Sequence, residues 1–289
     1  MHQLRVQTNA CAVERVEEIL FNCGAVSISY QDARDEPILE PAIGDHPLWS
    51  YLIVQAHFHN ADQINLASKA LRHEDHVGSQ IVLEQIDDDG WQEKFQQQFA
   101  AMQFGPLWIY PSWQENPAPD GISLRLDPGM AFGTGQHATT HLCLQWLSHV
   151  DLNAKNVIDF GCGSGILALT AAALGAQHIY AVDIDSQALM ATRQNIQQNR
   201  MPADRFTVGD VEVLDGVKAD ILVANILADP LYRLRDYLIS HLQSGGILLL
   251  SGILTEQVKD IVAYYSQSCS HLHTDTRGDW SSISFRAYQ

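Results

Sequence analysis

In this 289-residue chain the segment VIDFGCGSG, residues 157 to 165, has the composition of a ligand-holding turn. Asp159 and Phe160 close a run of strand formers, and Gly161, Gly163 and Gly165 then lead into a helix. Glycine takes positive φ at little cost and has no Cβ, so a ligand can lie against bare backbone there. Such turns also serve as plain strand-to-helix connections, and the tip of the next strand decides between the two. That strand ends in AVDID, with Asp183 at its tip 18 residues after Gly165. A carboxylate in that place can accept hydrogen bonds from both hydroxyls of a ribose. A dinucleotide fingerprint reads GxGxxG, but Ile166 stands where its third glycine belongs. A pyrophosphate also seeks the positive end of a helix, whereas S-adenosylmethionine brings only a carboxylate and a sulfonium. The spacing therefore predicts S-adenosylmethionine as the cofactor.

Two more stretches join this one. VANILADPL puts Asn225 at the tip of a later strand, and open α/β sheets bind ligands along that edge. A lone Asn at a strand end is usually a turn-former; beside the glycine turn and Asp183 it reads as part of the site. LDPGMAFGTGQHATTHLCLQWL, residues 126 to 147, sets Gly129, Gly133 and Gly135 in a polar loop ahead of Thr139, Thr140 and a helix. Loops of this length are usually functional, and its threonines offer short hydroxyl donors. His137 reads as a hydrogen-bonding fixture rather than a titrating catalyst. The five cysteines, Cys11, Cys23, Cys143, Cys162 and Cys269, include no CxxC pair. They predict neither a disulfide framework nor a metal site.

Elements must hold these residues in place. From Val157 onward strand and helix patterns alternate: VIDF, a helix over 165–174, IYAVDI, a helix over 186–199, FTVGD, DILVANI, a helix over 228–243, GILLLSGI and a helix over 255–265. Alternation of this kind builds a doubly wound, mostly parallel Rossmann-like sheet. HLHTDT and WSSISFRAY, separated by RGD, read as an antiparallel hairpin finishing it. The first part of the chain runs strand, helix, strand, strand, helix, strand, which is the ferredoxin-like α+β order. Between them IDDDGWQEKFQQQF, residues 86 to 99, predicts an interdomain helix with Trp91, Phe95 and Phe99 on one face. The expected division is 1–86, ferredoxin-like, for substrate recognition; 87–118, a linker; and 119–289, the α/β domain.

Charge and hydropathy narrow the partners. The net charge is −17, and residues 1–86 alone carry −7, so phosphate backbones are repelled and direct nucleic-acid binding is not expected. The ferredoxin-like fold also hosts RNA-binding domains, but their basic, aromatic signature is missing here. The first residues have no apolar signal core, and no apolar run approaches the roughly 20 residues that span a bilayer. No membrane association is expected, and the location expected is cytoplasmic.

Taken in order, WQEKF, DPGMAFGTGQHATT, DFGCGSG, AVDID and ANILADPL closely resemble the ribosomal protein L11 methyltransferase family of bacteria. The resemblance runs by motif over residues 91 to 255 and, less specifically, to the N-terminal unit. It implies methylation of the α-amino group and lysine ε-amino groups of ribosomal protein L11. It also implies that Thr140, Gly161 and Asp183 contact the cofactor, with Gly163 in the same turn. Asn225, in NILA, stands where amine methyltransferases often show NPPY, which makes it both a cofactor contact and the candidate catalytic residue. One departure is QHAT where the family commonly reads THPT, so that Gln136 and Ala138 replace Thr and Pro. The alternatives are a methyltransferase for another protein or a small-molecule amine, and a non-catalytic adaptor that keeps the fold. Intact Gly161, Gly163, Gly165, Asp183 and Asn225 argue against the adaptor.

Overall fold

A computed structural model describes residues 2–34, 48–72, 74, 77–85, 100–127, 135 and 137–288. The expected helix bearing Trp91, Phe95 and Phe99, the loop glycines Gly129 and Gly133, and Gln136 lie outside the described residues. The chain divides into two units, Met1–Gln98 and Phe99–Gln289.

The first unit is built as β1 (His2–Asn9), α1 (Val13–Asn22), β2 (Ser27–Asp32), β3 (Tyr51–Phe58), α2 (Ala61–Leu71) and β4 (Val77–Gln85). Its sheet runs β2-β3-β1-β4, with β1 antiparallel to both β3 and β4. Period-two alternation sends Leu4, Val6, Leu52, Val54, Ala56 and Phe58 to one face, where Val16, Leu20, Ile64 and Leu71 of the two helices bury them. Asn60 starts α2 by accepting the Gln63 amide on its side chain at 3.0 Å. This is the ferredoxin-like α+β arrangement.

The second unit opens with three short strands, β5 (Met102–Phe104), β6 (Leu107–Tyr110) and β7 (Ile122–Arg125), in a sheet of their own. Phe104, Leu107, Ile109 and Leu124 pack into the same core as Val157 and Leu167. Met102–Phe104 and Leu107–Tyr110 are thus strands within the stretch 87–118; runs of three or four residues are too short for alternation to declare them.

There follow α3 (Ala138–Leu147), β8 (Asn156–Phe160), α4 (Ile166–Ala173), β9 (His178–Val182), α5 (Ser186–Gln198), β10 (Phe206–Gly209), β11 (Ala219–Asn225), α6 (Ala228–Ser240), β12 (Leu242–Leu254), α7 (Val258–Tyr265), β13 (Cys269–Arg277) and β14 (Trp280–Ala287). The sheet order is β10-β9-β8-β11-β12-β14-β13. The first five strands are parallel. The hairpin does not simply extend them: β14 enters between β12 and β13, antiparallel to both. Both faces are covered. Val157, Ile179, Ile221, Val223 and Leu249 point to one core, and Ile158, Leu222, Leu248, Leu250, Ile283 and Phe285 to the other, where Leu231, Leu238, Ile261 and Tyr265 close it. That two-sided burial explains the nearly continuous apolar runs of these strands. α6 ends at Ser240 and β12 begins at Leu242, earlier than the helical pattern to 243 suggests. Among the described residues no helix is long and apolar enough to cross a membrane.

Candidate functional site

β8 leaves the sheet at Phe160, and Gly161, Gly163 and Gly165 come next with φ of 77°, 54° and 77°. All three lie in the left-handed region, which explains the choice of residue. Space is a second reason at Gly161, where an added Cβ would sit 2.6 Å from Ile226 Cγ2. The turn is stitched down from two sides. The amides of Gly161 and Cys162 donate to the Val182 carbonyl at 2.8 and 3.0 Å. From α5, Thr192 Oγ1 donates to the Gly163 carbonyl at 3.0 Å and Asn195 Nδ2 to the Ser164 carbonyl at 2.8 Å. Burial pushes the Cys162 thiol up to about 12, so it stays protonated and unreactive.

Asp183 comes directly after the last residue of β9. Its Oδ2 accepts the Gly163 amide at 2.9 Å and its Oδ1 the Asp185 amide at 3.0 Å. A carboxylate has about four lone-pair positions, so each oxygen keeps one for a ligand hydroxyl. Beside it Ile184 is 95% exposed, a bare aliphatic surface at the same strand tip.

Asn225 ends β11, and its Nδ2 donates to Thr140 Oγ1 at 3.3 Å. Its Oδ1 is buried and has no hydrogen-bond partner among the described residues. Thr140 is fully buried in the first turn of α3, and Ser251 Oγ, on β12, donates to the Thr139 carbonyl at 3.1 Å. The start of α3 is thereby tied to the tips of β11 and β12. His137 caps this helix: its Nδ1 lies 2.8 Å from Thr139 Oγ1 and accepts the Thr139 amide. Burial holds its pKa below the ordinary histidine value, so the ring is a neutral acceptor, as a fixture should be. Ala138 is the first helical residue, a position that proline also suits.

Thr140 and Asn225 thus form one cluster, and Gly161, Gly163 and Asp183 another, along the carboxyl edge of the sheet. Ile226 joins them, since it succeeds Asn225 in the chain and lies against Gly161. Three participants were not apparent from the sequence. Thr192 and Asn195 gave only a faint signal: Thr192 is a polar residue on the buried stripe of α5, with Ala188 and Ile196. Asp159 is 1% exposed; its Oδ2 accepts the Ala168 amide at 2.9 Å, and its Oδ1 has no partner among the described residues.

These observations fit an adenosyl ligand. Bare glycine backbone, spare lone pairs on Asp183 and two orphaned buried oxygens, on Asn225 and Asp159, are groups left waiting for donors and cations. The sheet order with its single reversed strand, together with this edge, defines a class I S-adenosylmethionine-dependent methyltransferase. A family model described as ribosomal protein L11 methyltransferase matches residues 1–288. The chain is 42% identical over 285 residues, 97% of each chain, to the ribosomal protein L11 methyltransferase of Shewanella sp. (strain W3-18-1). It is likewise 42% identical over 284 residues to that of Shewanella denitrificans, again over 97% of each. The crystal structure of the ribosomal protein L11 methylase of Lactobacillus delbrueckii subsp. bulgaricus matches with a TM-score of 0.59 and 31% identity, over 66% of this chain and 100% of that one. This chain belongs to the ribosomal protein L11 methyltransferase family, and it is a protein methyltransferase whose methyl donor is S-adenosylmethionine.

Proposed function

We propose that the chain methylates the α-amino group and lysine ε-amino groups of ribosomal protein L11, with Asn225 aligning the target amine. The observation that carries this reading is the buried, unpartnered Oδ1 of Asn225, fixed by the Nδ2 bond to Thr140 beside the glycine turn. An acceptor held in that way suits an amine N–H. Gly161 and Gly163 offer backbone to the donor, Asp183 accepts its ribose hydroxyls, and Thr140 and Asn225 close the methionine side. S-adenosylmethionine supplies, when bound, a methyl group made electrophilic by the sulfonium.

The protein's own contribution is orientation. A neutral amine attacks in line with the leaving sulfur, and holding the two atoms at a productive angle removes much of the barrier. A lysine with pKa near 10.4 and an α-amine near 8 must first lose a proton; desolvation beside carbonyl and carboxamide acceptors lowers both values. Residues 1–86 are assigned to recognition of the protein substrate, with 87–118 joining them to a catalytic part over 119–289. A small-molecule methyltransferase has no need of such a unit, which favours ribosomal protein L11 over a small amine. The acidic surface suits a basic protein partner rather than nucleic acid, and the free cysteines suit the cytoplasm.

Labelled S-adenosylmethionine, the purified chain and total ribosomal protein from a strain lacking this methylation provide the test. Label confined to L11, at its N-terminus and lysines by mass spectrometry, is the expected result. Label on a different protein, or on none, would sink the substrate assignment.

A further inference from the structure

Asp159 sits two residues before Gly161, near the end of β8, and its free Oδ1 is sealed from solvent. Among the described residues, the neighbours that face it supply no positive charge. From α4 it receives only the Ala168 amide; β9 and β11 present Ala181 and Val223 at its level. The ionisable group that acts on it is Asp183 at the tip of β9; the nearby thiols of Cys162 in the turn and Cys143 on α3 are themselves raised by burial and by the Asp159 charge. Burial, opposed by the Ala168 amide and reinforced by the Asp183 charge, pushes this carboxyl up to about 7. A carboxyl in such a place needs either a proton or a cation.

We propose that Asp159 is a positioning residue that reads the charge of the adenosyl ligand, losing its proton when the sulfonium donor is seated and regaining it when the neutral thioether product remains. The inference rests on the donor site assigned to the glycine turn and Asp183. Donor and product share the adenosine, the carboxylate and the ammonium; they differ by one methyl and one positive charge. A cation held against the Gly161–Gly163 backbone adds the charge that the Asp159 surroundings lack. An opposite charge within about 4–6 Å lowers a carboxyl pKa by roughly one to three. Only the O–H bond of the acid breaks, and the proton passes to solvent. Linkage then works in reverse as well: the ionised carboxylate favours donor over product by the same factor. Discrimination between a fresh and a spent ligand therefore grows as pH rises through the titration of Asp159.

Calorimetric titration of the full chain with S-adenosylmethionine and with S-adenosylhomocysteine, from about pH 5.5 to about 8.5 in two buffers of different ionisation enthalpy, reads this directly. Donor binding is expected to release more protons than product binding, and the product-to-donor Kd ratio to rise about tenfold across the range. The α-amine is common to both ligands and cancels. Asp159→Asn keeps an acceptor for the Ala168 amide and should make the ratio independent of pH. Equal proton exchange for the two ligands in the unaltered protein overturns the proposal, and so does an Asp159→Asn variant that keeps the original pH dependence. The wild-type comparison stands even if that variant fails to fold. No donor binding at all overturns the site assignment as well, an outcome distinct from normal binding without differential proton release.

Discussion

In the proposed reading Asp183 has two tasks at once, because the oxygens assigned to a ribose also hold the amides of Gly163 and Asp185. Asp183→Ala should therefore weaken donor binding at least tenfold, since hydrogen bonds to charged groups contribute about 1.5–3 kcal/mol each, and it should loosen the turn as well. Calorimetry giving an unchanged Kd would refute the ribose role. In the proposed reading Asn225 acts on the other reactant. At pH 7 a free lysine is only about 0.04% neutral, so the methylation rate should climb with pH, and an α-amine target should level off above about pH 8 while a lysine target does not. Asn225→Ala should lower both profiles at every pH without moving their midpoints. A midpoint moved by a full pH unit would mean that the carboxamide sets the protonation of the amine and does more than orient it. Asp159 leaves a mark on stability in the absence of ligand. Its folded pKa, about 7, stands above the ordinary carboxyl value of 3.8, so the folded state binds the proton more tightly than the unfolded one. The stabilisation this gives is complete below the lower value, declines as pH rises between the two, and is gone above the higher. Denaturant titrations should show wild-type stability falling relative to Asp159→Asn over that window and running parallel to it above about pH 8; parallel behaviour throughout would mean that the acid is ionised in the free protein.

Among the elements, α3 invites a substitution that adds order. His137 stands just before the helix with φ −61° and ψ 139°, the extended conformation that a following proline requires. Ala138 is the first helical residue, whose amide has no acceptor within the helix. Ala138→Pro should raise stability by about 0.4–1 kcal/mol by restricting the unfolded chain, read as a higher Tm with donor affinity intact; a lower Tm would show that the Ala138 amide is in use. The features legible in the sequence obey the same local logic. Positive φ at Gly161, Gly163 and Gly165, an acid at one strand tip and an amide at another are fixed by neighbours along the chain, and the doubly wound and ferredoxin-like patterns come from periodicity. The braces are different. Thr192 and Asn195 reach Gly163 and Ser164 from about thirty residues away, and the free oxygen of Asp159 is defined by what packs around it. Gly252 is similar: a Cβ there would meet the Ile226 carbonyl oxygen at 2.3 Å, a constraint created only when β12 lies beside β11. β5 to β7 escaped notice because each is too short to show a period, and their burial depends on a core supplied by residues much later in the chain.

At the scale of the whole molecule, every donor contact assigned to the site comes from residues after Phe99, and the second unit has two cores made from its own residues. A chain beginning at residue 99 should bind S-adenosylmethionine with nearly the affinity of the full protein yet methylate ribosomal protein L11 far more slowly. If the shortened protein modifies L11 at the full rate, residues 1–86 have no part in recognition. The strand order of this second unit also bears on how molecules associate. β13 does not pair with β12, because β14 stands between them and pairs with both. The hairpin is therefore held to the parallel sheet through a single ladder, from Ile247 opposite Arg286 to Leu254 opposite Trp280. If that ladder opens, it bares two matching edges, and the hairpin of one molecule can close on the β12 of another in the register it uses at home. Reciprocal exchange would give a swapped dimer containing every native contact of the monomer. Crowded refolding should then lose material to entwined pairs, and dilution rather than cooling should recover it.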